Sequence, residues 1–245
     1  MNLPVDEILT ALQRGKLSVQ GEFLWGSNYT FLVNVEHSKR MLKAVYKPTR
    51  GERPLWDFPV ATLARREVAA YLVSEAMKLQ LVPPTVYRKK GPLGPGSIQF
   101  FIQHDPEYHY FNFSEADQQR LRPVALFDIL INNADRKGSH VLVDPDNHIW
   151  LIDHGVCFHT EEKLRTVVWD FAGESIPGDL CDSVSLLLEK LEPEKGSPSE
   201  LTIALQRYIS SDEIDALRDR GRELLSANRF PPPNPYRRPY PWPQI

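Results

Sequence analysis

"INNADRKGSHVLVDPDNHIWLIDHG", residues 131–155, packs four aspartates and three histidines around two short apolar runs. The runs HVLV and IWLI favour strands. The DPDN between them is a strong turn sequence, because Asp, Pro and Asn supply the backbone angles and local hydrogen bonds of tight turns. The stretch therefore predicts a β-hairpin. In such a hairpin residue 140 lies roughly opposite residue 153, so His140 and Asp153 emerge at the same end.

A further aspartate, Asp135, precedes the hairpin on the loop that leaves a predicted helix. For each of the three residues alone, a turn cap, a strand end or a surface position is the simpler interpretation. The convergence of Asp135, His140 and Asp153 at one hairpin mouth instead favours a functional site. Two carboxylates and an imidazole suit metal binding and proton handling.

Length and charge narrow the class of protein. A chain of 245 residues holds one large domain or two closely joined lobes. The net charge of −3 gives no general case for binding nucleic acid, and no apolar run reaches the roughly 18 residues that span a bilayer. The first residues lack the pattern of a signal peptide, and Cys157 and Cys181 cannot form a disulfide framework. We expect a reduced, cytoplasmic protein.

The order of predicted elements indicates an α+β fold. The first part is rich in strands, with a helix over 4–15, strands over 17–25, 29–36, 40–48, 81–89 and 96–103, and a helix over 60–79. The second part is rich in helices, predicted over 117–133, 183–191, 200–209 and 211–226. This order predicts two lobes, residues 1–103 and 104–228, with a cleft between them.

The chain ends in a proline-rich tail, residues 229–245. Seven of its last fifteen residues are proline, which predicts an extended segment without regular helix or sheet. Such a segment packs on the body through Tyr236, Tyr240 and Trp242, or it serves as a docking peptide for a partner.

A lysine and a glutamate in the first part form a second candidate site. Lys47 ends the apolar strand AVYK, and Glu67 falls inside the apolar stripe of its helix, whereas Arg65 and Arg66 are predicted to face away. A carboxylate in an apolar stripe is costly unless it is paired. A Lys47–Glu67 pair would hold the lysine against nucleotide phosphates, or it would be purely structural.

The turn in WGSNYT is a third candidate. Gly26 and Ser27 lie between two predicted strands, where backbone N–H groups can cover phosphates. An ordinary hairpin turn is the simpler interpretation of this segment alone.

Taken in order, these parts resemble the phosphatidylinositol 3-/4-kinase-like branch of the protein-kinase-like superfamily. The "KP" context of the lysine and the compact NADR loop are similar in style to type II phosphatidylinositol 4-kinases. The chain also resembles a small bacterial kinase-like family of the SCO1664 type, through the segments YKPTRGERPLWDFP, LVPPT, LINNADRKGSH and VWDFAGE. The resemblance covers about residues 18–180 and implies a bilobal kinase fold with a nucleotide cleft.

The resemblance implies a role for each matching residue. Lys47 would contact the α- and β-phosphates of ATP and Glu67 would orient it. Asp135 would position or deprotonate the acceptor hydroxyl, Arg136 would brace its loop, and Asp153 would bind the metal that bridges the β- and γ-phosphates. Two sets would complete the nucleotide site: a phosphate-covering turn of Gly26, Ser27 and Asn28, and an adenine-binding hinge of Gln99, Phe100, Phe101, Ile102 and Gln103.

Two positions depart from the family pattern. His140 stands five residues after Asp135, where this branch has the asparagine that is the second metal ligand, and the closing triplet is Asp153-His154-Gly155 instead of Asp-Phe-Gly. Mg²⁺ prefers oxygen ligands, whereas imidazole suits Mn²⁺ and other transition metals. The metal is therefore expected to be Mg²⁺ or Mn²⁺, and His140 either biases the site toward Mn²⁺ or leaves one metal position empty.

These observations predict an ATP- and metal-dependent phosphotransferase acting on a hydroxyl of a lipid headgroup, a protein or a small molecule. Two alternatives stay open. The first is a nucleotide-binding pseudokinase that signals by conformation. The second is a metal-dependent phosphohydrolase, because six of the seven histidines lie between 104 and 159, including the His104-Asp105 pair.

Overall fold

The N-terminal part is built on an antiparallel sheet. The computed structural model describes residues 3–23, 29–193 and 196–245. Its five-stranded sheet has the order β1-β2-β3-β5-β4, with every neighbouring pair antiparallel. The strands are β1 (Lys16–Glu22), β2 (Phe31–His37), β3 (Arg40–Pro48), β4 (Thr85–Arg88) and β5 (Gly96–Phe100).

Alternation along β3 separates the two faces of this sheet. Ala44 and Tyr46 are fully buried against the first helix, α1 (Val5–Arg14), which contributes Ile8 and Leu12 to the same core. Because successive side chains of a strand point to opposite faces, the odd-numbered residues of β3 face the other way. The predicted sheet and the first predicted helix are therefore confirmed.

The helix α2 (Leu63–Ala76) is buried on almost every side. The prediction that Arg66 faces away from the core is wrong, since its side chain is about 1% exposed. A helix covered by the sheet on one side and by helices on the other keeps only a narrow exposed edge, which here includes Arg65, so a single apolar stripe does not describe it. The N–H groups of Leu63 and Ala64 donate to the Glu52 carboxylate at 3.1 and 2.8 Å, which caps the helix start.

The second part of the chain is helical, as predicted, but the helix predicted over 117–133 is two helices. Pro123 lies in the first turn of the second one, where its missing N–H costs nothing. That helix ends at Asn132, which adopts the left-handed conformation with φ of 52°. The helices are α3 (Glu115–Gln119), α4 (Arg122–Ile131), α5 (Gly178–Leu191), α6 (Glu200–Leu205) and α7 (Ser211–Ala227).

The predicted hairpin is present between α4 and α5. Its strands are β6 (Val141–Val143) and β7 (Ile149–Leu151), paired in antiparallel register. The Asp144 carboxylate stabilises the turn by accepting hydrogen bonds from the N–H groups of residues 146 and 148 and from the indole of Trp150. The register is one residue off the prediction, because His140 lies opposite Ile152, whose N–H donates to the His140 carbonyl at 3.1 Å.

The tail lies along the body of the molecule without helix or strand. Phe230 is buried, 6.0 Å from the ring of Phe171. Beyond it the tail is attached mainly through backbone carbonyls, whereas Tyr236 is 94% exposed and Trp242 is 76% exposed. The tail therefore packs on the body, one of the two predicted alternatives, but Tyr236 and Trp242 contribute little to this packing, whereas Tyr240 is 40% exposed. The alternative role as a docking peptide stays a prediction. None of the described helices is long and apolar enough to cross a membrane.

Candidate active site

A cleft of about 1410 Å³ lies between the sheet and the hairpin. The wall of this cleft is formed by strand β3, helix α2, the end of β5, the loop before the hairpin and tail residues between 237 and 245. Most of the residues singled out from the sequence line it: Lys47, Glu67, Gln99, Phe100, Phe101, Ile102, Asp135, His140 and Asp153. The structure thus brings together groups that are up to 106 positions apart.

Lys47 occupies the centre of the polar part of this cleft. Its ammonium forms ion pairs with the carboxylate of Glu67 and, at 2.9 Å, with Oδ1 of Asp153. Burial favours the neutral amine, but the carboxylates of Asp153 and Glu67 outweigh it and raise the pKa of Lys47 above its ordinary value. The lysine is therefore a fixed positive charge. The predicted Lys47–Glu67 pair is present, with Glu67 almost fully buried.

Glu67 also ties α2 to the closing triplet. Its second carboxylate oxygen accepts a hydrogen bond from the backbone N–H of His154 at 3.1 Å. One buried carboxylate therefore fixes both the lysine and the backbone next to Asp153. Sequence reasoning identified Glu67 from its place in an apolar stripe, but not this second contact.

Asp153 points into the cleft with its side chain about half exposed. Its backbone is left-handed, with φ of 62°, a conformation that Asp tolerates better than most residues. Burial would raise the pKa of this carboxyl group, but the Lys47 ammonium and His140 hold it below its ordinary value. The group is ionised throughout the physiological range and available as an oxygen ligand.

His140 lies beside Asp153, with Nε2 at 3.4 Å from Oδ2. Burial lowers the pKa of His140 to about 4, so the imidazole is neutral at physiological pH. Its Nδ1 accepts a hydrogen bond from the Lys137 N–H at 3.4 Å, which leaves the proton on Nε2. Binding a cation through Nε2 requires the other neutral tautomer, with the proton on Nδ1, so the long hydrogen bond that Nδ1 accepts from the Lys137 N–H is lost. After this change of tautomer, a neutral imidazole and an ionised carboxylate at this spacing fit a divalent cation.

Asp135 lies on the other side of the hairpin mouth, 3.7 Å from the Lys137 ammonium. Its backbone N–H donates to the side-chain oxygen of Asn133 at 3.0 Å. Burial raises the pKa of Asp135 to about 6. A carboxylate with a pKa near neutrality accepts a proton more readily than an ordinary one, which suits a general base.

Arg136, to which the resemblance assigns the bracing of the loop, is fully buried next to Asp135. Its guanidinium contacts the Asp128 carboxylate at 3.0–3.1 Å and donates to the Ile152 carbonyl at 2.8 Å. It also donates to Nε2 of His154 at 2.8 Å. Since a guanidinium only donates, His154 carries its proton on Nδ1, which is 3.9 Å from the Glu67 carboxylate. Burial keeps the pKa of His154 well below its ordinary value.

Several residues that support the site were not identified from the sequence. Asn132 donates to the carbonyls of His159 and Glu161 and accepts from the N–H of Lys163, which fixes the segment after the triplet. Asp128 holds Arg136 from the buried face of α4. The signal for Asp128 is present in the sequence, because a carboxylate in the apolar run VALFDILI requires a partner.

Arg66 is the third feature that the sequence did not reveal. Its guanidinium pairs with Glu213 of α7 at 2.5 Å and donates to the Cys157 carbonyl at 2.6 Å. Both partners belong to the C-terminal part of the chain. The helix that carries Glu67 is therefore attached to that part by a buried ion pair.

The predicted hinge divides into residues that face the cleft and residues that do not. Ile102 packs against Leu142 and Trp150 of the hairpin. Gln99 also lines the cleft, although its amide donates to Thr85 Oγ1 at 2.9 Å within the sheet, whereas Gln103 is exposed and does not line the cleft. The predicted phosphate-covering turn of Gly26, Ser27 and Asn28 lies outside the described residues.

The histidines that suggested a phosphohydrolase make separate contacts. His104 Nδ1 lies 2.9 Å from the Ile102 carbonyl, and His148 Nε2 lies 2.8 Å from the Gln80 carbonyl. Over residues 3–23, 29–193 and 196–245, no three His, Cys, Asp or Glu side chains are grouped so that they could hold a metal ion by themselves.

Comparison with known proteins gives the family. The model of phosphatidylinositol 3- and 4-kinase matches residues 58–216, which include α2, the hairpin and most of the helices. The chain belongs to the phosphatidylinositol 3- and 4-kinase family. This confirms the resemblance derived from the motifs, and at the level of the family it supports a phosphotransferase.

Individual relatives agree with this assignment. The chain is 40% identical to Protein Rv2133c of Mycobacterium tuberculosis over 273 aligned positions, covering 97% of this chain and 95% of that protein. It is 29% identical to phosphatidylinositol 4-kinase gamma 4 of rice, Oryza sativa subsp. japonica, over 124 positions. That match covers 43% of this chain and 22% of the rice protein.

A solved structure confirms the fold. The crystal structure of the proinflammatory kinase CtkA of Helicobacter pylori superimposes with a TM-score of 0.53, covering 89% of this chain and 94% of that one. At 9% identity the likeness shows the fold alone. The predicted α+β, bilobal, kinase-like architecture is therefore confirmed, whereas the lobe boundaries at 103 and 228 stay predictions.

Proposed function

We propose that the protein is an ATP- and divalent-metal-dependent kinase that transfers the γ-phosphate to a hydroxyl acceptor. One observation supports this most strongly: the ammonium of Lys47 lies between the carboxylates of Glu67 and Asp153, and Asp135 lines the same cleft. Kinases of this fold use a lysine–glutamate pair for the phosphates and a separate aspartate for the acceptor.

Lys47 is the proposed contact for the α- and β-phosphates. Its fixed positive charge faces the cleft, and Glu67 limits the positions of its ammonium. The apolar side chains of Phe100, Phe101 and Ile102 at the end of β5 suit the adenine ring, whose faces need apolar contacts. Gly26, Ser27 and Asn28 are proposed to cover the phosphates.

Asp153 and His140 are the proposed holders of Mg²⁺ or Mn²⁺. When bound, the cation neutralises charge that develops on the β- and γ-phosphates during transfer. Asp153 supplies an ionised oxygen ligand, and His140 supplies a neutral ring nitrogen in the tautomer that carries its proton on Nδ1. In the absence of a cation, Lys47 is the group that balances the Asp153 charge.

Asp135 is the proposed general base. Its raised pKa of about 6 lets it take the proton of an acceptor hydroxyl near neutral pH. Arg136 and Asn133 hold the backbone around it, so its carboxylate stays near the acceptor side of the cleft. The acceptor is a hydroxyl of a lipid headgroup, a protein or a small molecule.

A two-step measurement tests this function. Thermal unfolding of the purified chain is followed with ATP and Mg²⁺ or Mn²⁺, and ADP formation is then measured under the same conditions. We expect a higher unfolding midpoint with ATP and metal, and ADP formation that depends on the metal. Asp153→Ala should remove the metal-dependent part of ATP binding. A stabilised protein that forms no ADP would instead identify a pseudokinase.

A further inference from the structure

The end of the tail is bound to the two segments that flank Asp135. The backbone N–H of Gly138 donates to the Gln244 carbonyl at 2.8 Å, and that of Thr166 donates to the Pro239 carbonyl at 3.0 Å. The Trp169 indole N–H also donates to the Pro239 carbonyl, at 3.2 Å. Residues 239–244 therefore bridge the loop before the hairpin and the segment after the triplet.

These two N–H groups occupy a defined place beside Asp135. Gly138 follows Asp135 by three residues in the same loop. Thr166 forms a parallel bridge with Arg136, the residue next to Asp135, through hydrogen bonds on either side of it. A protein acceptor that reached Asp135 as an extended chain would pair with main-chain donors of this kind, as extended peptides do at open backbone edges. Carbonyls of the tail already accept hydrogen bonds from both of these N–H groups.

The composition of the tail suits this position. Proline has a carbonyl but no N–H, so the residues around Pro239, Pro241 and Pro243 accept hydrogen bonds without presenting an edge to which a further strand adds. Proline also restricts the unfolded chain, so less conformational entropy is lost when the segment is ordered on the surface.

The tail also forms part of the wall of the cleft. Arg238, Trp242 and Ile245 line it together with Asp135, and the Arg238 guanidinium lies 5.7 Å from the centre of the Trp242 ring. The approach to Asp135 on this side is therefore bounded by the tail. It remains open to a compact group that does not need the two N–H donors.

We infer that residues 239–245 determine acceptor specificity by occupying the path that an extended peptide acceptor would take to Asp135. The inference rests on the proposed function in taking Asp135 as the acceptor end of the cleft. It assigns no role to the tail in nucleotide binding, since Lys47 and Glu67 are held by β3 and α2.

Two shortened chains test this inference. One ends at Arg238 and loses both backbone contacts, and the other ends at Pro243 and loses only the contact to Gly138. Tyr236→Ala is the matched control, because that side chain belongs to the tail and is 94% exposed. The affinity of each protein for Mn²⁺–ATP and its unfolding midpoint are measured first, so that loss of folding is recognised. If only the chain ending at Arg238 is unfolded, the chain ending at Pro243 carries the test.

The decisive readouts are peptide binding and peptide phosphorylation. A labelled synthetic peptide with the sequence of residues 236–245 reports binding by fluorescence anisotropy, and a degenerate Ser/Thr peptide pool reports phosphate transfer. We expect the chain ending at Arg238 to bind the synthetic peptide at least tenfold more tightly than the intact chain, and to phosphorylate the pool at least tenfold faster. The chain ending at Pro243 should lie between them, and Mn²⁺–ATP affinity should change less than twofold.

Other results separate the two proposals. Equal peptide binding and equal peptide phosphorylation by intact and shortened chains would overturn the role of the tail. The same conclusion would follow if a shortened chain bound Mn²⁺–ATP normally but gained neither activity toward peptides nor affinity for them. Failure of the intact chain to bind Mn²⁺–ATP would instead refute the proposed function, while gained binding of the synthetic peptide would still support the placement of the tail.

Discussion

At the scale of single residues, the pKa values of the two cleft aspartates are shifted in opposite directions. Asp153 is kept ionised by the Lys47 ammonium against the effect of burial, whereas burial dominates at Asp135 and raises its pKa to about 6. The proposed mechanism needs this difference. One carboxylate binds a cation at every relevant pH, and the other exchanges a proton near neutrality.

The raised pKa of Asp135 predicts how stability depends on pH. The ionised carboxylate is less stable in the folded chain than in the unfolded chain, so the group lowers the free energy of unfolding above pH 6 and has no such effect below pH 3.8. Asp135→Asn should therefore raise the unfolding midpoint at pH 7 more than at pH 4. Thermal unfolding at the two pH values measures this. An equal shift at both would show that the carboxylate has no raised pKa.

Under the proposed function, His140 sets the metal preference of the site. Replacing it by the asparagine of the family pattern exchanges a nitrogen ligand for an oxygen ligand, which favours Mg²⁺ over Mn²⁺. We expect His140→Asn to increase the ratio of ADP formation with Mg²⁺ to that with Mn²⁺ several-fold. His148→Asn, a change in the turn of the same hairpin, is the control. An unchanged ratio in His140→Asn would mean that His140 is not a ligand.

The functional polar residues that can be identified from the sequence are those that interrupt an apolar run. Glu67 stands in an apolar helix stripe, and Lys47 ends an apolar strand, so the amino-acid pattern alone indicates that each needs a partner. Asn132 and His154 stand in polar surroundings, where a loop role is unremarkable. Their partners are 18 to 87 positions away, and no periodicity connects them.

At the scale of elements, prediction succeeded where one face of an element is buried and failed where two are. The strands β2 and β3 and the helix α1 show clear periods because one side meets a core and the other does not. The helix α2 lies between the sheet and the C-terminal helices, so the Arg66 side chain, which the pattern assigned to the surface, is buried. A hydrophobic period shows that a face of an element is buried, but it does not show how many neighbouring elements cover that element.

The Arg66–Glu213 pair should be the main attachment of α2 to the C-terminal helices. Removing one partner leaves a buried charge, which typically costs about 3–5 kcal/mol. We therefore expect Arg66→Ala to lower the free energy of unfolding by about 3 kcal/mol in urea titration. Arg65→Ala, which removes the exposed neighbour, should cost less than about 1 kcal/mol. Equal costs for the two variants would contradict the role of the pair.

At the scale of the whole molecule, the order of the motifs carried more information than any one of them. A glycine turn, a strand lysine and a helix glutamate are each common, but their sequence followed by the NADR loop and the hairpin predicted the kinase-like fold that the comparisons confirm. The position of the tail was not predictable. Its hydrogen bonds to the two segments that flank Asp135 are made by backbone carbonyls, which every residue has, so its side chains gave no indication of that position.

In the proposed mechanism, Asp153 binds the cation and Asp135 accepts the proton of the acceptor hydroxyl, within one cleft. A comparison of ADP formation at equal ATP occupancy separates these two roles. The intact chain and Asp135→Asn are compared at Mn²⁺–ATP concentrations that give the same fractional binding in each. We expect similar ATP affinities and ADP formation that is at least about 100-fold slower in Asp135→Asn, the usual range for loss of a general base. Equal rates in the two proteins at equal occupancy would contradict this assignment of roles.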